Sequence, residues 1–344
     1  MVAPLQIQAK TTHRGLYESF DFRGVSADER YAFILRHTFS RPWLARGHLE
    51  VSLLCFDRQT RQTICVSEQE ELRPEQEKQL LLLKDWQNCT FSLGSGSFFT
   101  IQRDNLRGKL HTSQGSISWS LRLYRQDKTV HSFPPNLCIN RLWPRQQVSI
   151  CDRQLKYLGK IQHHALDIAG EFLGTNHHYA GHGYPLEYAS AQGRHFAEDK
   201  DAYFYGLSSR LHVGQVLKTP YLSMASLYVY GRWYNFRQLS RSFRHQLEAL
   251  DNFRWRIQFS NQDYGLEVDV NGQNPRLTAW AGWHVPQPTG SRVVVKATPF
   301  AQAKLTLYSK TNMATIASLT TQSMELRTLL PENLAEGYGF WVDP

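Results

Sequence analysis

Alternation of large apolar and polar side chains is the dominant pattern along this chain. Two aromatic-rich runs, residues 15–24 and 31–39, flank a short polar segment at 25–30. A period of two is typical of paired strands that bury one face. The carboxylate of Glu18 lies within the first run. We therefore expect Glu18 to point either outward to water or into a cavity that requires it.

Similar strand-like runs recur along the chain, with the short polar separators of antiparallel hairpins. Helix-forming composition is confined to residues 68–86 and a short segment at 240–250. The Pro-containing stretch 134–153 is predicted to be irregular. No strand–helix–strand rhythm occurs, so a doubly wound nucleotide-binding fold is not expected. The further strand predictions are 48–56, 62–66, 88–93, 97–103, 109–112, 115–124, 163–172, 187–196, 202–211, 221–236, 254–260, 264–270, 277–283, 292–298 and 304–309.

These runs predict an all-β protein, with minor helices, made of two successive antiparallel units. A chain of 344 residues is long enough for two cores. The polar run at 197–201 is the preferred junction, which divides the chain into residues 1–200 and 201–344. Any boundary between 165 and 215 would fit the same pattern.

Charge and cysteine usage limit the classes of partner. The formal charge of +9 favours anionic partners, but the basic residues form no long run, so no specific nucleic-acid site is expected. Weak association with an anionic membrane stays open. No signal-peptide pattern and no apolar run of about 18–20 residues occurs. The five cysteines form no CxxC pair, which predicts reduced thiols in a cytoplasmic protein.

Short motifs resemble a known superfamily. The motifs lie in four parts of the chain. These are residues 17–20 together with 31–33, the hairpin region 98–123, in which Gly115 precedes an Ile-x-Trp strand, residues 176–196, and residues 231–308. Together they resemble the lipocalin-like superfamily of tocopherol cyclases, carotenoid 1,2-hydratases and decalin-forming pericyclases (Diels-Alderases). The resemblance implies two consecutive antiparallel lipocalin-like β-barrels with a ligand pocket in or between them. One departure is that residues 181–184 replace the family's Asn-Trp-Gly loop.

Histidines are concentrated in the 176–196 stretch, with Glu187 among them. Imidazoles with a carboxylate suit Zn²⁺, but this spacing fits no familiar zinc motif. His177 and His178 are adjacent, and on a strand they would point to opposite faces. We predict no metal and no cofactor. The histidines of this stretch are His177, His178, His182 and His195.

A polar pocket wall is the alternative interpretation of this stretch. The loop at 181–185 is tight, so His182 and Tyr184 could donate hydrogen bonds to a ligand. Period two places Glu187 and the small residues 189, 191 and 193 on one face, with Tyr188 and Gln192 on the other. Small residues leave room for a ligand or for a neighbouring ring, and the sequence does not decide which face points inward.

The predicted function is a cyclase or pericyclase of secondary metabolism. It would fold a hydrophobic polyene or isoprenoid-bearing precursor for intramolecular cyclisation by confinement. Alternatives are a lipid or pigment carrier, a carotenoid-hydratase-like hydro-lyase, and an interaction module whose barrels are filled by side chains. Glu18 could instead be solvated or paired with Arg23 or Arg36, and Trp233 and Tyr234 could pack between the barrels. The predicted catalytic residues are His182, Tyr184, Glu187 and Glu18, and the predicted substrate contacts are Tyr188, Gln192, Trp233 and Tyr234.

Overall fold

Antiparallel strands form nearly all of the regular structure in this protein. The computed structural model describes residues 15–82, 89–94, 96–112, 115–125, 130–131, 146–181, 185–213, 217–272, 278–286, 292–329 and 341–342. Among these residues there is one α-helix, α1 (Pro74–Leu82), and one 3-10 helix, Leu239–Arg241. None of the described helices is long and apolar enough to cross a bilayer.

The first sheet is built from the N-terminal half of the chain. Its strands are β1 (Leu16–Ser26), β2 (Tyr31–Arg41), β3 (His48–Asp57), β4 (Gln62–Glu71), β5 (Cys89–Ser92), β6 (Phe98–Gln102), β7 (Asn105–Thr112), β8 (Gly115–Tyr124), β9 (Val130–His131), β10 (Gln146–His163) and β11 (Leu166–Gly181). They are ordered β4-β3-β2-β1-β11-β10-β8-β7-β6-β5, with β9 beside β10. The sheet curls until β4 approaches β7, and we call it the first half-barrel.

The second sheet repeats this design with the C-terminal half of the chain. Its strands are β12 (Glu187–Gly193), β13 (Tyr203–Arg210), β16 (Leu222–Val229), β17 (Arg232–Phe236), β18 (Gln246–Leu250), β19 (Arg254–Ser260), β20 (Tyr264–Asn271), β21 (Ala281–Pro286), β22 (Arg292–Ser309), β23 (Thr315–Leu329) and β24 (Trp341–Val342). The order is β17-β16-β13-β12-β23-β22-β20-β19-β18, with β21 joining β22 to β24. We call this sheet the second half-barrel. Strands β14 (His212–Val213) and β15 (Leu217–Lys218) pair separately.

Each half-barrel is filled by its own apolar side chains. In the first, Phe20 and Phe22 of β1 join the leucines and aromatic rings of the neighbouring strands in one buried cluster. In the second, Trp255, Phe259 and Leu305 belong to an equivalent cluster. Among the described residues the concave faces are therefore packed cores. The predicted all-β architecture of two consecutive lipocalin-like barrels is confirmed.

A third cluster lies between the two half-barrels and joins them. It combines Ile34 and Phe56 of the first sheet with Tyr205, Trp283 and other residues of the second. The outer faces of both sheets are thus buried against each other, and we call this region the junction layer. It explains why β1 and β2 are buried on both faces.

The chain crosses from one half-barrel to the other between Gly181 and Glu187. This crossover lies inside the interval 165–215 that the sequence allowed for a boundary. The division at residue 200 stays a prediction. The thiol of Cys55 is free and buried.

Several secondary-structure predictions were wrong in part. The predicted strand 221–236 is two strands, β16 and β17, joined by a turn, and the predicted strand 163–172 includes the turn between β10 and β11. The predicted helix 68–86 begins only at Pro74, because residues 68–71 continue β4 and pair with β3. The predicted helix 240–250 is a 3-10 turn followed by β18, which pairs with β19. The predicted irregular stretch 134–153 contains the start of β10 at Gln146, while residues 134–145 lie outside the described residues.

Candidate functional site

The candidate site lies in the junction layer, where β1 and β11 face β12 and β23. Alternation along β1 explains which side chains reach it. Phe20 and Phe22 point into the first half-barrel, so Asp21 and Arg23 point the opposite way. That opposite face is covered by the second half-barrel, because Arg23 donates to Glu325 of β23 at 2.7 Å.

Five buried charged residues form an ion cluster here, namely Asp21, Arg23, Arg36, Glu325 and Arg327. Arg327 bonds both carboxylates, that of Asp21 across the junction and that of Glu325 on its own strand. Arg36 Nε lies 3.6 Å from Asp21 Oδ1. Both sheets therefore contribute charges to one network.

Positive charge is in excess in this ion cluster, which holds three guanidiniums and two carboxylates. Burial would raise the pKa of Asp21, but Arg327, Arg36 and Arg23 outweigh it and hold that pKa below its ordinary value. The carboxylate is therefore ionised at neutral pH. The guanidinium carbon of Arg327 lies 4.9 Å from the centre of the Trp283 ring. This cation–π contact offsets some of the hydration that the guanidinium loses on burial.

Gln192 of β12 is fixed at the edge of the ion cluster. Its amide nitrogen donates to Glu325 Oε2 at 3.1 Å. Its carbonyl oxygen accepts from Thr175 at 3.3 Å and from the Tyr203 hydroxyl at 3.4 Å. Burial raises the pKa of Tyr203 well above its ordinary value, so this phenol stays protonated. The result is a set of polar groups with little freedom to rotate.

Beside the ion cluster lies a small cavity of about 40 Å³, the inner cavity. Apolar and glycine positions make up much of its wall, and a few polar groups converge on it. Its volume is enough for a small polar group or a few waters. Residues lining it include Arg23, Phe33, Gln192, Tyr203, Pro299 and Glu325.

A larger depression, the outer cleft, adjoins the inner cavity. Its volume of about 760 Å³ falls in the range of ligand pockets. Leu173, Arg194 and His195 line both spaces, so they mark the passage between them. Other lining residues are Asp28, Glu29, Arg58, Lys200, Thr320 and Gln322.

Glu18 lies inside the first half-barrel and not in the junction layer. It is 1% exposed, and its Oε1 lies 2.8 Å from Nε2 of His178. The ring of Phe20 stacks on His178 with centroids 4.4 Å apart. Glu18 is thus buried and bonded to a histidine on β11, and the solvated alternative is wrong.

Glu187 lies at the end of β12, half-buried. It accepts a hydrogen bond from the Tyr221 hydroxyl and lies 3.5 Å from Arg210. Burial and this bond raise the pKa of Tyr221. The small face of β12 fills the second half-barrel, where Ala189 and Ala191 are core residues. Those positions therefore accommodate neighbouring side chains.

The other predicted substrate contacts are dispersed. Tyr188 is buried in the junction layer. Trp233 and Tyr234 lie on β17, separated from β12 by β13 and β16. Their rings pack against Tyr228 at 5.3 Å and Tyr264 at 5.0 Å. Of the four predicted contacts, Gln192 is a lining residue of the inner cavity.

His182 and Tyr184 lie outside the described residues, so their catalytic roles stay predictions. His177 and His178 do point to opposite faces, since His177 contacts Tyr205 of the second sheet and His178 contacts Phe20. Burial, with Arg23 and Arg327 nearby, lowers the pKa of His177 well below its ordinary value. In the described part of the chain no group of three or more His, Cys, Asp or Glu side chains could hold a metal ion.

Sequence reasoning missed the ion cluster. The signal was present in β1 and β23, where charged residues alternate with apolar ones, as in Met324-Glu325-Leu326-Arg327. Such a pattern normally indicates a solvent-exposed face. Asp21 and Arg327 are 306 residues apart, and their pairing required knowledge of how the two sheets pack.

Comparison with known proteins supports the architecture. A crystal structure of a Nitrosomonas europaea protein, provisionally described as AttH, matches with a TM-score of 0.50 and 9% identity, over 94% of this chain and 98% of that one. Isotype 1 transferrin binding protein B from Neisseria meningitidis matches with a TM-score of 0.13 and 7% identity, over 92% of this chain and 76% of that one. No protein-family model and no curated protein sequence matches. The first likeness shows a shared fold alone.

Proposed function

We propose that this protein is a cyclase that binds a partly apolar organic precursor between the half-barrels and folds it for intramolecular ring closure. The observation that carries the proposal is the outer cleft, which leads to an inner cavity lined by fixed polar groups. Confinement of a flexible chain near its reactive shape supplies proximity without covalent chemistry. The resemblance to cyclases and pericyclases supports this choice of reaction.

Fixed dipoles at the inner cavity favour a catalyst over a carrier. Gln192 and Tyr203 are held by their mutual hydrogen bond, and Arg23 adds a buried positive charge. Groups that are already oriented can stabilise charge that develops on a carbonyl or phenol oxygen. A carrier would need only the apolar wall.

Proton transfer would be required only for closure of a phenol onto an alkene. Under the proposal, Glu187 would act from the end of β12. Glu18 and its partner His178 face the interior of the first half-barrel, so a role for Glu18 would require a substrate that reaches that face of β1. His182 and Tyr184 remain the proposed hydrogen-bond donors from the 182–184 segment. Tyr188, Trp233 and Tyr234 remain the proposed apolar contacts.

A blocked passage tests the proposal. Leu173→Trp places an indole between the inner cavity and the outer cleft, so we expect at least about a hundredfold loss of cyclisation rate. The measurement is the rate of cyclic product formation from linear polyenes or isoprenoid-bearing phenols, followed by liquid chromatography and mass spectrometry. The matched control is Leu158→Trp, at an exposed leucine of β10 on the same sheet, which should keep the wild-type rate.

Two results would count against this function. Wild-type activity in Leu173→Trp would show that substrate does not use the passage. Recovery of a bound, unchanged ligand, with no acceleration over buffer for either substrate class, would favour the lipid or pigment carrier.

A further inference from the structure

The ion cluster has one more positive charge than negative charge, with three guanidiniums and two carboxylates. All five side chains are at least nine-tenths buried. Isolated charges in a dry interior are costly unless a counter-ion is near. A further buried carboxylate, that of Glu50, lies on the same face of β3, two residues from the register partner of Arg36, and balances part of this charge.

Arg23 is the member of the ion cluster that lines the inner cavity. Its Nη1 donates to Glu325 at 2.7 Å and its Nη2 donates to Tyr179 at 3.1 Å. Its Nε has no hydrogen-bond partner among the described residues. One buried guanidinium N–H beside a cavity is therefore available to an acceptor.

His195 supplies a second polar atom at the passage. It lines both the inner cavity and the outer cleft, and its buried Nε2 has no hydrogen-bond partner within the described ranges. Arg194, which lines the same two spaces, adds positive charge there. Two carboxylates oppose a ligand anion here, Glu325 on the wall of the inner cavity and Glu29 beside His195 in the outer cleft. Arg23, Arg327 and Gln192 already bond the oxygens of Glu325, and Ser323 donates to Glu29.

We propose that the inner cavity binds the carboxylate of an otherwise apolar ligand, whose hydrocarbon part lies along the apolar side of the outer cleft at Leu173, Phe196 and Ala197. A volume of about 40 Å³ suits a group of carboxylate size. Arg23 Nε donates to one carboxylate oxygen, and His195 contacts the other from the passage. This inference rests on the proposed function, because it specifies the ligand class of the same site.

Dodecanoate and methyl dodecanoate test the proposal, because they share a chain and differ in charge. Isothermal titration calorimetry is done on the full chain at about pH 8, where dodecanoate is ionised. We expect one molecule of dodecanoate to bind at least about tenfold more tightly than the ester. Hydrogen bonds to a charged group have a strength of this order.

Arg23→Gln should reduce that preference to less than about twofold while leaving the affinity for the ester unchanged. The matched control Arg122→Gln removes the same charge from an exposed position on β8 and should keep the full preference. If Arg23→Gln does not fold, His195→Gln, which changes the second proposed contact at the passage, should reduce the preference in its place. A preference that His195→Gln leaves intact would then overturn the site.

Equal affinities in the wild-type protein would overturn the carboxylate site but leave the proposed cleft function standing. A preference that survives Arg23→Gln would place dodecanoate on the basic surface and would also overturn it. Failure of both ligands to bind would contradict the carboxylate site and the use of this cleft by apolar ligands. If the protein cyclises neutral substrates only, that result would support the proposed function and contradict the carboxylate site.

Discussion

The imidazole of His37 is buried in the core of the first half-barrel. It stacks on Phe99 with centroids 4.4 Å apart and meets the edge of Phe22 at 5.9 Å. Neither ring nitrogen has a hydrogen-bond partner among the described residues. Burial lowers its pKa from 6.5 to about 3. His37 is therefore neutral in the folded protein over most of the acidic range.

This histidine should make the fold sensitive to acid. Below about pH 6.5 the unfolded chain binds a proton at His37 that the folded protein does not bind until about pH 3. Stability is therefore lost as pH falls through that window. His37→Leu should flatten the dependence by up to about 1.4 kcal/mol per pH unit, measured by urea unfolding between about pH 7 and pH 4.

The control for this prediction is His111→Leu, at an exposed position of β7, which should keep the wild-type slope. An identical pH dependence in wild type and His37→Leu would contradict a neutral His37 in the folded state.

At this scale the sequence left the environment of Glu18 open between an outward position and a cavity, and the structure shows the side chain buried. The partner of Glu18 is His178, 160 residues away, and the sequence suggested arginines instead. Gln192 was predicted as a contact and lines the inner cavity, whereas Arg23 was considered only as a partner for Glu18.

Among the elements, the β7–β8 hairpin shows why a sequence motif takes the form it does. Gly108 of β7 is the register partner of Trp119 on β8. The indole lies over this glycine, and an added Cβ would meet a ring atom at 2.1 Å. The hairpin region noted in the sequence therefore contains both sides of one contact, Gly108 and the tryptophan of the Ile-x-Trp strand.

Gly108→Ala should destabilise the first half-barrel by about 1–3 kcal/mol, because the methyl group must displace the buried Trp119 ring. Chemical denaturation followed by tryptophan fluorescence measures the loss. The matched control is Gly94→Ala, where an added Cβ meets nothing within 4 Å. Equal stability of the two variants would contradict the contact.

The errors in predicting elements share one cause. Residues 68–71 are three glutamates and one glutamine, a composition that favours a helix, yet they pair with β3 as an extension of β4. Residues 246–250 similarly pair with β19. Tertiary pairing outweighs local propensity at sheet edges. Strands with clear alternation, such as β1 and β2, were predicted close to their observed bounds.

At the scale of the whole molecule, the ion cluster couples the two half-barrels. Asp21 of the first sheet is bonded by Arg327 of the second, and both side chains are almost fully buried. Removal of one partner of a buried ion pair leaves an uncompensated charge. The stability of each half-barrel therefore depends on the other.

Asp21→Asn should lower the free energy of unfolding by about 3–5 kcal/mol, because it leaves three guanidiniums with one carboxylate. The matched control is Asp269→Asn, whose partner Arg254 lies 2.8 Å away in a partly exposed pair. That change should cost less than about 1 kcal/mol. Urea unfolding followed by circular dichroism measures both, and similar losses in the two variants would contradict the coupling.

Strand order has a consequence for the origin of the chain. In the first sheet β1 lies beside β11, and in the second β12 lies beside β23. Each half-barrel thus pairs its first strand with one of its last strands, which brings the two ends of that half of the chain together. Such a unit can be copied in tandem without breaking a ladder, as expected of gene duplication and fusion.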